Sequence, residues 1–377
     1  TAPAVEAVIE NLTYRNTVSN PVETRTVSIQ VSDGAGGASV PRVLTIKVTP
    51  EYDGAQPLFA EEVVNTYTPG EQSASAMARL ADGGYVTVWT SQAQDGWGYG
   101  IYGQRYDAQG VAVGNQFQAN NYTPYDQVEP VVTSLAGGGF VVLWTDRGGA
   151  DGNGYGVFGQ RYDADGLQVG EAILVNTSAT GNQHQPAAAS LPGGGFVVAW
   201  YSDGQQDGRY YDVYVQRFDD NGQALGSETR ANASTGFENN GQYEPAITAL
   251  ADGSFVVTWR SDNQDSSSTG VYGQRFAADG SVLGSEFRIN TYTDSTQYEP
   301  SIAALADGGF VVAWTSYYQD GGSTTGVFAQ RYGADGTAVG AEFRVNTTTV
   351  DSEQQPSVAG LANGGFVVAW TASSEIF

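Results

Sequence analysis

Residues 305–314 read LADGGFVVAW, one of six copies of a phrase that decides the fold. The others are LADGGYVTVW (80–89), LAGGGFVVLW (135–144), LPGGGFVVAW (191–200), LADGSFVVTW (250–259) and LANGGFVVAW (361–370). Their tryptophans, Trp89, Trp144, Trp200, Trp259, Trp314 and Trp370, follow at steps of 55, 56, 59, 55 and 56 residues. Self-similarity at such a period means one supersecondary unit stacked repeatedly.

Working outward from the phrase, each unit reads as four short strands. FVVAW is an almost continuous apolar run of β-branched and aromatic residues. The ADGG or AGGG before it supplies a tight hairpin turn, and a segment such as PSIAAL precedes that turn. A polar loop follows the tryptophan and leads to a third strand such as GVFAQRYG. A GADG-type turn then gives a fourth strand ending in EFRVNT. Helical periodicity is absent. Four antiparallel strands per repeat predict an all-β chain, a β-propeller of four-stranded blades. Six blades are visible, with seven or eight if the chain continues beyond Phe377. The first strand of each blade is expected to line the channel, and each tryptophan to fill the space between blades.

Residues 61–65 (EEVVN) copy a fourth strand that has no first three, and the last unit stops soon after its second strand. Pairing of the two would close the ring and remove its exposed edges. Residues 1–50 differ. They hold TVSIQVSD (26–33) and RVLTIKVT (42–49), a hairpin read as the remainder of a sandwich, with 51–58 as linker and 59–377 as propeller. The chain opens without Met, and both ends read as cut from something longer.

The 377 residues carry 41 acidic against 16 basic side chains, a net charge of −25. That field repels polyanions, which argues against nucleic acid and acidic membrane surfaces as partners. It suits Ca²⁺, a salty exterior or plain solubility. Cysteine is absent, as fits an exported bacterial protein or a core large enough to need no disulfide. No apolar run approaches the roughly 18 residues of a membrane span, so no insertion is expected.

The phrases ADGGFVVAW, GVYGQRYDADG and EFRVNT resemble repeats of large exported bacterial proteins of the RTX adhesin and hemolysin type. VSDGAGGASVPRVLTIKVT resembles the end of a cadherin-like or Ig-like module from such proteins. The resemblance implies type I secretion, an extracellular or cell-surface location, and other domains of the same large protein or a surface assembly as partners. It also implies Ca²⁺-binding neighbours, although the GGxGxDxUx nonapeptide does not occur here.

Several residues recur at matched positions. Asp95, Asp151, Asp207, Asp265 and Asp320 follow the tryptophans, four of them preceded by Gln, and are candidate Ca²⁺ ligands. Ca²⁺ takes about six to eight oxygens, and each loop offers one or two carboxylates. The competing reading is an Asp that caps its own turn. Arg105, Arg161, Arg217, Arg275 and Arg331 recur in strand three and are read as structural. Their expected partners are Glu129, Gln185, Glu244, Glu299 and Gln355, before the proline of strand one. Tyr99, Tyr155, Tyr210, Tyr211, Tyr317 and Tyr318 fall in the variable loops and are candidate glycan-stacking residues. His184 is the one histidine, which excludes His-based metal clusters and triads. Asn121, Asn176, Asn232 and Asn346 open Asn-x-Ser/Thr triplets and are read as ending strands. The expectation is a non-enzymatic structural or adhesive module, with a lectin and then a paired-carboxylate glycosidase as alternatives.

Overall fold

The computed structural model describes residues 63–205, 211–233, 241–265, 268–319, 321, 324–347 and 352–372, together with the backbone of strands at 24–29, 42–47 and 375–376. The chain divides into two compact units, Thr1–Val63 and Val64–Phe377. In the first, β1 (Thr24–Ile29) pairs antiparallel with β2 (Arg42–Lys47). The rest of residues 1–62, Glu61 and Glu62 included, lies outside the described residues.

The second unit is a β-propeller of six sheets. Blade 1 holds β3 (Gln72–Arg79), β4 (Tyr85–Gln92), β5 (Tyr99–Tyr106) and β6 (Ala112–Gln118). Blade 2 holds β7 (Gln127–Ser134), β8 (Phe140–Asp146), β9 (Gly156–Tyr162) and β10 (Gln168–Leu174). Blade 3 holds β11 (Gln183–Ser190), β12 (Phe196–Asp203), β13 (Tyr211–Phe218) and β14 (Ala224–Arg230). Blade 4 holds β15 (Gln242–Ala249), β16 (Phe255–Asp262), β17 (Thr269–Phe276) and β18 (Val282–Arg288). Blade 5 holds β19 (Gln297–Ala304), β20 (Phe310–Tyr317), β21 (Thr325–Tyr332) and β22 (Ala338–Arg344). Blade 6 has three strands, β23 (Glu353–Gly360), β24 (Phe366–Ala372) and β25 (Glu375–Ile376). No helix among the described residues is long and apolar enough to cross a membrane.

Alternation explains why these sheets stack. Within FVVAW the first, third and fifth side chains point toward the preceding blade, and the second and fourth toward the next. Val86 and Val88 of β4 therefore share one core with Phe140, Val142 and Trp144 of β8. Trp200, Trp259 and Trp314 occupy the matching place in the next three interfaces and are fully buried. Several polar slots within this core are satisfied locally. The strand-three glutamines, such as Gln104, donate to the Arg105 and Val113 carbonyls where the strand-three ladder slips register. The Asn that ends strand four, such as Asn176, accepts from Val157 N and donates to Gln183 Oε1, so it ties a strand end to the next blade. Asn232 and Asn346 do the first of these jobs at Val213 and Val327, whereas Asn121 is exposed and the buried counterpart in its repeat is Asn120.

Three of the repeated arginines, Arg105, Arg217 and Arg275, join blades, but not through the expected partners. Arg105 donates to the Ala164 carbonyl at 2.8 Å and Arg217 to that of Asp279 at 2.7 Å, while Arg275 reaches the Ala334 and Asp335 carbonyls. Each acceptor lies in the strand three to four turn of the following blade. The turn glycines sit at φ of 78–88° and pack on the arginine stems, Gly222 on Arg161 among them, where a Cβ would collide. The Glu and Gln before the strand-one prolines lie at the opposite end of the blade, because strand three ends where strand one does not begin.

Ring closure through residues 61–65 is not seen among the described residues. Val63, Val64 and Asn65 lie in no strand, Glu61 and Glu62 lie outside the described residues, and the sixth sheet has three strands among the described residues. Inner strands pack in the order β3, β7, β11, β15, β19, β23, and β23 does not pack on β3 in the same way. Asn65 nevertheless keeps the repeat's bonds, donating to the Tyr67 carbonyl at 2.7 Å and Gln72 Oε1 at 3.1 Å.

Candidate active site at the inner-strand ends

Two residues into each inner strand the ladder slips register, between Val128 and Val131 in blade 2 and at the matching place elsewhere. The proline inside this bulge has no N–H to offer a ladder. The residue before it adopts the left-handed conformation: Glu129 at φ 58°, Gln185 at 47°, Glu244 at 54°, Glu299 at 53° and Gln355 at 55°. For a side chain other than glycine each costs about 1–2 kcal/mol. A bulge re-aims a side chain, and here it turns a ring of carboxylates and amides toward the axis. Gln185, Glu244, Glu299 and Gln355, with the prolines that follow them, line a cavity of about 340 Å³.

The ring is stitched blade to blade. Gln185 N donates to Glu129 Oε2 at 3.0 Å, Glu299 N to Glu244 Oε2 at 2.8 Å, and Gln355 N to Glu299 Oε2 at 3.0 Å. Their remaining partners differ. Glu129 accepts Thr145 Oγ1 at 2.7 Å and lies 3.4 Å from the Arg147 guanidinium. Glu244 is held at 3.0 Å by Arg260. Among the described residues Glu299 has no cation beside it; it accepts Thr315 Oγ1 and the Gln355 backbone N–H, each at 3.0 Å. Burial, helped by the neighbouring Glu244 charge, raises its carboxyl pKa above the ordinary range.

Beside the ring stands an aromatic wall. It is built from the slot before the bulge and the slot after the tryptophan, where the repeat stops repeating. These pair as His184 with Tyr201, Tyr243 with Arg260, and Tyr298 with Thr315. His184 stacks on Tyr201 at 4.9 Å and meets the edge of Tyr155 at 5.1 Å. Tyr211 packs on Tyr243 at 4.8 Å, and the Arg260 guanidinium lies 4.9 Å over the Tyr243 ring. Tyr298 stacks on Tyr317 at 5.9 Å. Burial lowers the His184 pKa, so the imidazole is neutral near pH 7, and burial pushes the Tyr243 hydroxyl up to about 12.

Of the candidate tyrosines, Tyr155, Tyr211 and Tyr317 join this wall, and Tyr318 packs on Tyr317 at its exposed rim. Tyr99 does not; its hydroxyl donates to Glu71 in blade 1. Tyr210, Asp207 and Asp320 lie outside the described residues. Asp95 accepts Trp97 N and Gln118 Nε2, and Asp151 accepts Asn153 N and Asn176 Nδ2, so both cap turns. Asp265 lies against the strand-three start at Gly270. Among the described residues no three acidic or histidine side chains gather as metal ligands would. Arg147, Arg260, Tyr201, Tyr243 and Tyr298 were not singled out from sequence, and the three glutamates were assigned only as arginine partners. The legible signal was there: two slots per repeat whose residue type changes from blade to blade.

No family model and no curated protein matches this chain. Solved structures do. An α-L-arabinofuranosidase of Fusarium graminearum, in complex with arabinobiose, superposes with a TM-score of 0.55 at 11% identity, covering 80% of this chain and 87% of that one. An α-L-arabinanase of Penicillium chrysogenum gives 0.53 at 14%, covering 79% and 88%. The NanB sialidase of Streptococcus pneumoniae gives 0.54 at 10%, covering 90% and 72%. The likeness is one of fold. It corrects two expectations: no family model supports an RTX adhesin or hemolysin-type repeat, and these three structures are carbohydrate-acting enzymes, not non-enzymatic adhesive modules.

Proposed function

We propose that this protein cleaves glycosidic bonds at the ring of inner-strand glutamates. The observation that carries the reading is the unlike setting of two adjacent carboxyls beside an aromatic wall. Glycoside hydrolysis requires one carboxyl to protonate the leaving oxygen and a second, ionised, to attack or to activate water. Glu299, half-buried and held by neutral donors, is the proton donor; Glu244, ion-paired to Arg260, is the carboxylate. Tyr201, Tyr243, Tyr298 and Tyr317 offer ring faces to the apolar side of a sugar.

The test is release of reducing ends from a panel of polysaccharides that includes arabinans. Glu299→Gln and Glu244→Gln are each expected to lower kcat by at least about a hundred-fold, with circular dichroism unchanged. Tight glycan binding without turnover by the native protein would leave a lectin in place of the enzyme.

A further inference from the structure

Outside the wall, three aromatic side chains of blades 1 and 2 face solvent at the same end of the propeller: Trp97 (61% exposed), Tyr122 (43%) and Tyr125 (65%). Trp97 is the one tryptophan outside the repeated phrase. Its loop is fastened at both sides, with Trp97 N donating to Asp95 Oδ1 at 3.1 Å and Ala93 N to the Gly98 carbonyl at 2.6 Å. Gly98 abuts the Tyr125 carbonyl and the Asp126 carboxylate, which also caps Tyr99 N. The Tyr122 and Tyr125 rings flank Gly148, where an added Cβ would lie 3.0 and 3.1 Å from them.

Tyr125 is held at φ 66°. The same turn position carries Gly70, Gly181 and Ser295 in other repeats, all at φ 70–75°. A tyrosine is the costly choice there, retained against strain and against exposure of its ring. Gly148 follows Arg147, whose N bonds the Asp126 carbonyl and whose guanidinium meets Glu129. The exposed rings thus adjoin the blade 2 edge of the carboxylate ring.

We infer that Trp97, Tyr122 and Tyr125 form a platform that holds a neutral polysaccharide chain extending outward from the glutamate ring. The ligand chemistry follows from the surface. Flat, exposed aromatic faces suit the C–H face of pyranose or furanose rings. Glu71, Asp95, Asp126 and Asp151 lie around the loops, and a net charge of −25 opposes an anionic chain. The extended substrate rests on the glycan-cleaving reading above; the binding platform does not.

Affinity electrophoresis in gels of neutral polysaccharides, with tryptophan fluorescence as second readout, tests it on the full chain. Trp97→Ala and Tyr125→Ala are each expected to weaken binding of the long chain by about three- to ten-fold. If the protein turns the polymer over, KM for the polymer rises more than KM for a trisaccharide. Platform-dependent binding with no turnover would sustain the platform and sink the enzyme reading. Binding and turnover of long chains unaltered in the Trp97→Ala, Tyr125→Ala double variant would sink the platform and leave the enzyme reading standing. Failure of the native protein to bind any neutral polysaccharide, or preference for a polyanionic one, would overturn the inference outright.

Discussion

Blades 5 and 6 share an identical strand, FVVAW, at Phe310–Trp314 and again at Phe366–Trp370, in very different surroundings. In β20 all five side chains are fully buried. In β24 the exposure alternates: Phe366, Val368 and Trp370 are half-buried against blade 5, while Val367 (52%) and Ala369 face solvent. The leucine that opens the phrase repeats the contrast, 4% exposed at Leu305 and 43% at Leu361. Blade 1 shows the mirror image on its inner strand, where Met77 is 64% exposed and Val132, its counterpart in blade 2, only 7%. A blade's apolar faces are thus set by its own sequence, but their burial is supplied by its neighbours, as expected of a stack of units with interface energies between them.

The largest test of that contrast is a tryptophan pair. Trp314→Ala should destabilise by about 3–5 kcal/mol, as large-to-small changes in a closed core do. Trp370→Ala, at a half-buried site, should cost less, about 2 kcal/mol. Equal shifts in denaturation midpoint would break the comparison. Next come the valines, which isolate the outward side. Val311→Ala should cost about 2 kcal/mol, and Val367→Ala, at an exposed site, no more than about 0.5.

The arginines carry the contrast onto the outer turns. Arg217 and Arg275 reach carbonyls of the following blade, whereas Arg331, with no such turn beyond it among the described residues, pairs with Asp307 of its own blade at 3.0 Å. Arg217→Ala should cost about 1 kcal/mol, the worth of an ordinary hydrogen bond. Arg331→Ala should fall within about 0.5 kcal/mol, as an exposed ion pair does. A double-mutant cycle of Arg331 with Asp307 sharpens that figure.

The smallest effect is expected from Glu299, in the interior of the array. Its folded pKa lies above the ordinary 4.5, so between the two values the native state holds a proton that the unfolded chain has released. Stability therefore falls as pH rises from about 4.5 through the raised value, and is restored on acidification across the same window. Glu299→Gln removes the titration, and its melting temperature should be flatter across that range. A parallel pH dependence in native protein and variant would assign the slope to other groups.

The glutamate ring shows how far the residues could be read on their own. Glu129, Glu244 and Glu299 were visible as a repeating slot, yet their role was misread as arginine partners. Antiparallel order alone separates the two, since strand one begins at one end of the blade and the arginine ends strand three at the other. The true acceptors of Arg105, Arg217 and Arg275 are backbone carbonyls, and a carbonyl leaves no mark in a sequence. Tyr155, Tyr211 and Tyr317 were legible as loop aromatics. Tyr201, Tyr243 and Tyr298 were not, because each sits inside a strand that reads as ordinary blade.

By itself the sequence determined the blade: strand order, turn chemistry, alternation of FVVAW and the tryptophan between sheets, all of them local or periodic properties. Tertiary structure decided which faces those blades bury, since burial belongs to a pair of neighbours and not to a strand. It also decided that the site exists at all. Left-handed bulges in successive inner strands bring Glu129, Glu244 and Glu299 to one ring, and residues 55 or more apart in sequence meet there only because the repeats are arranged about a common axis.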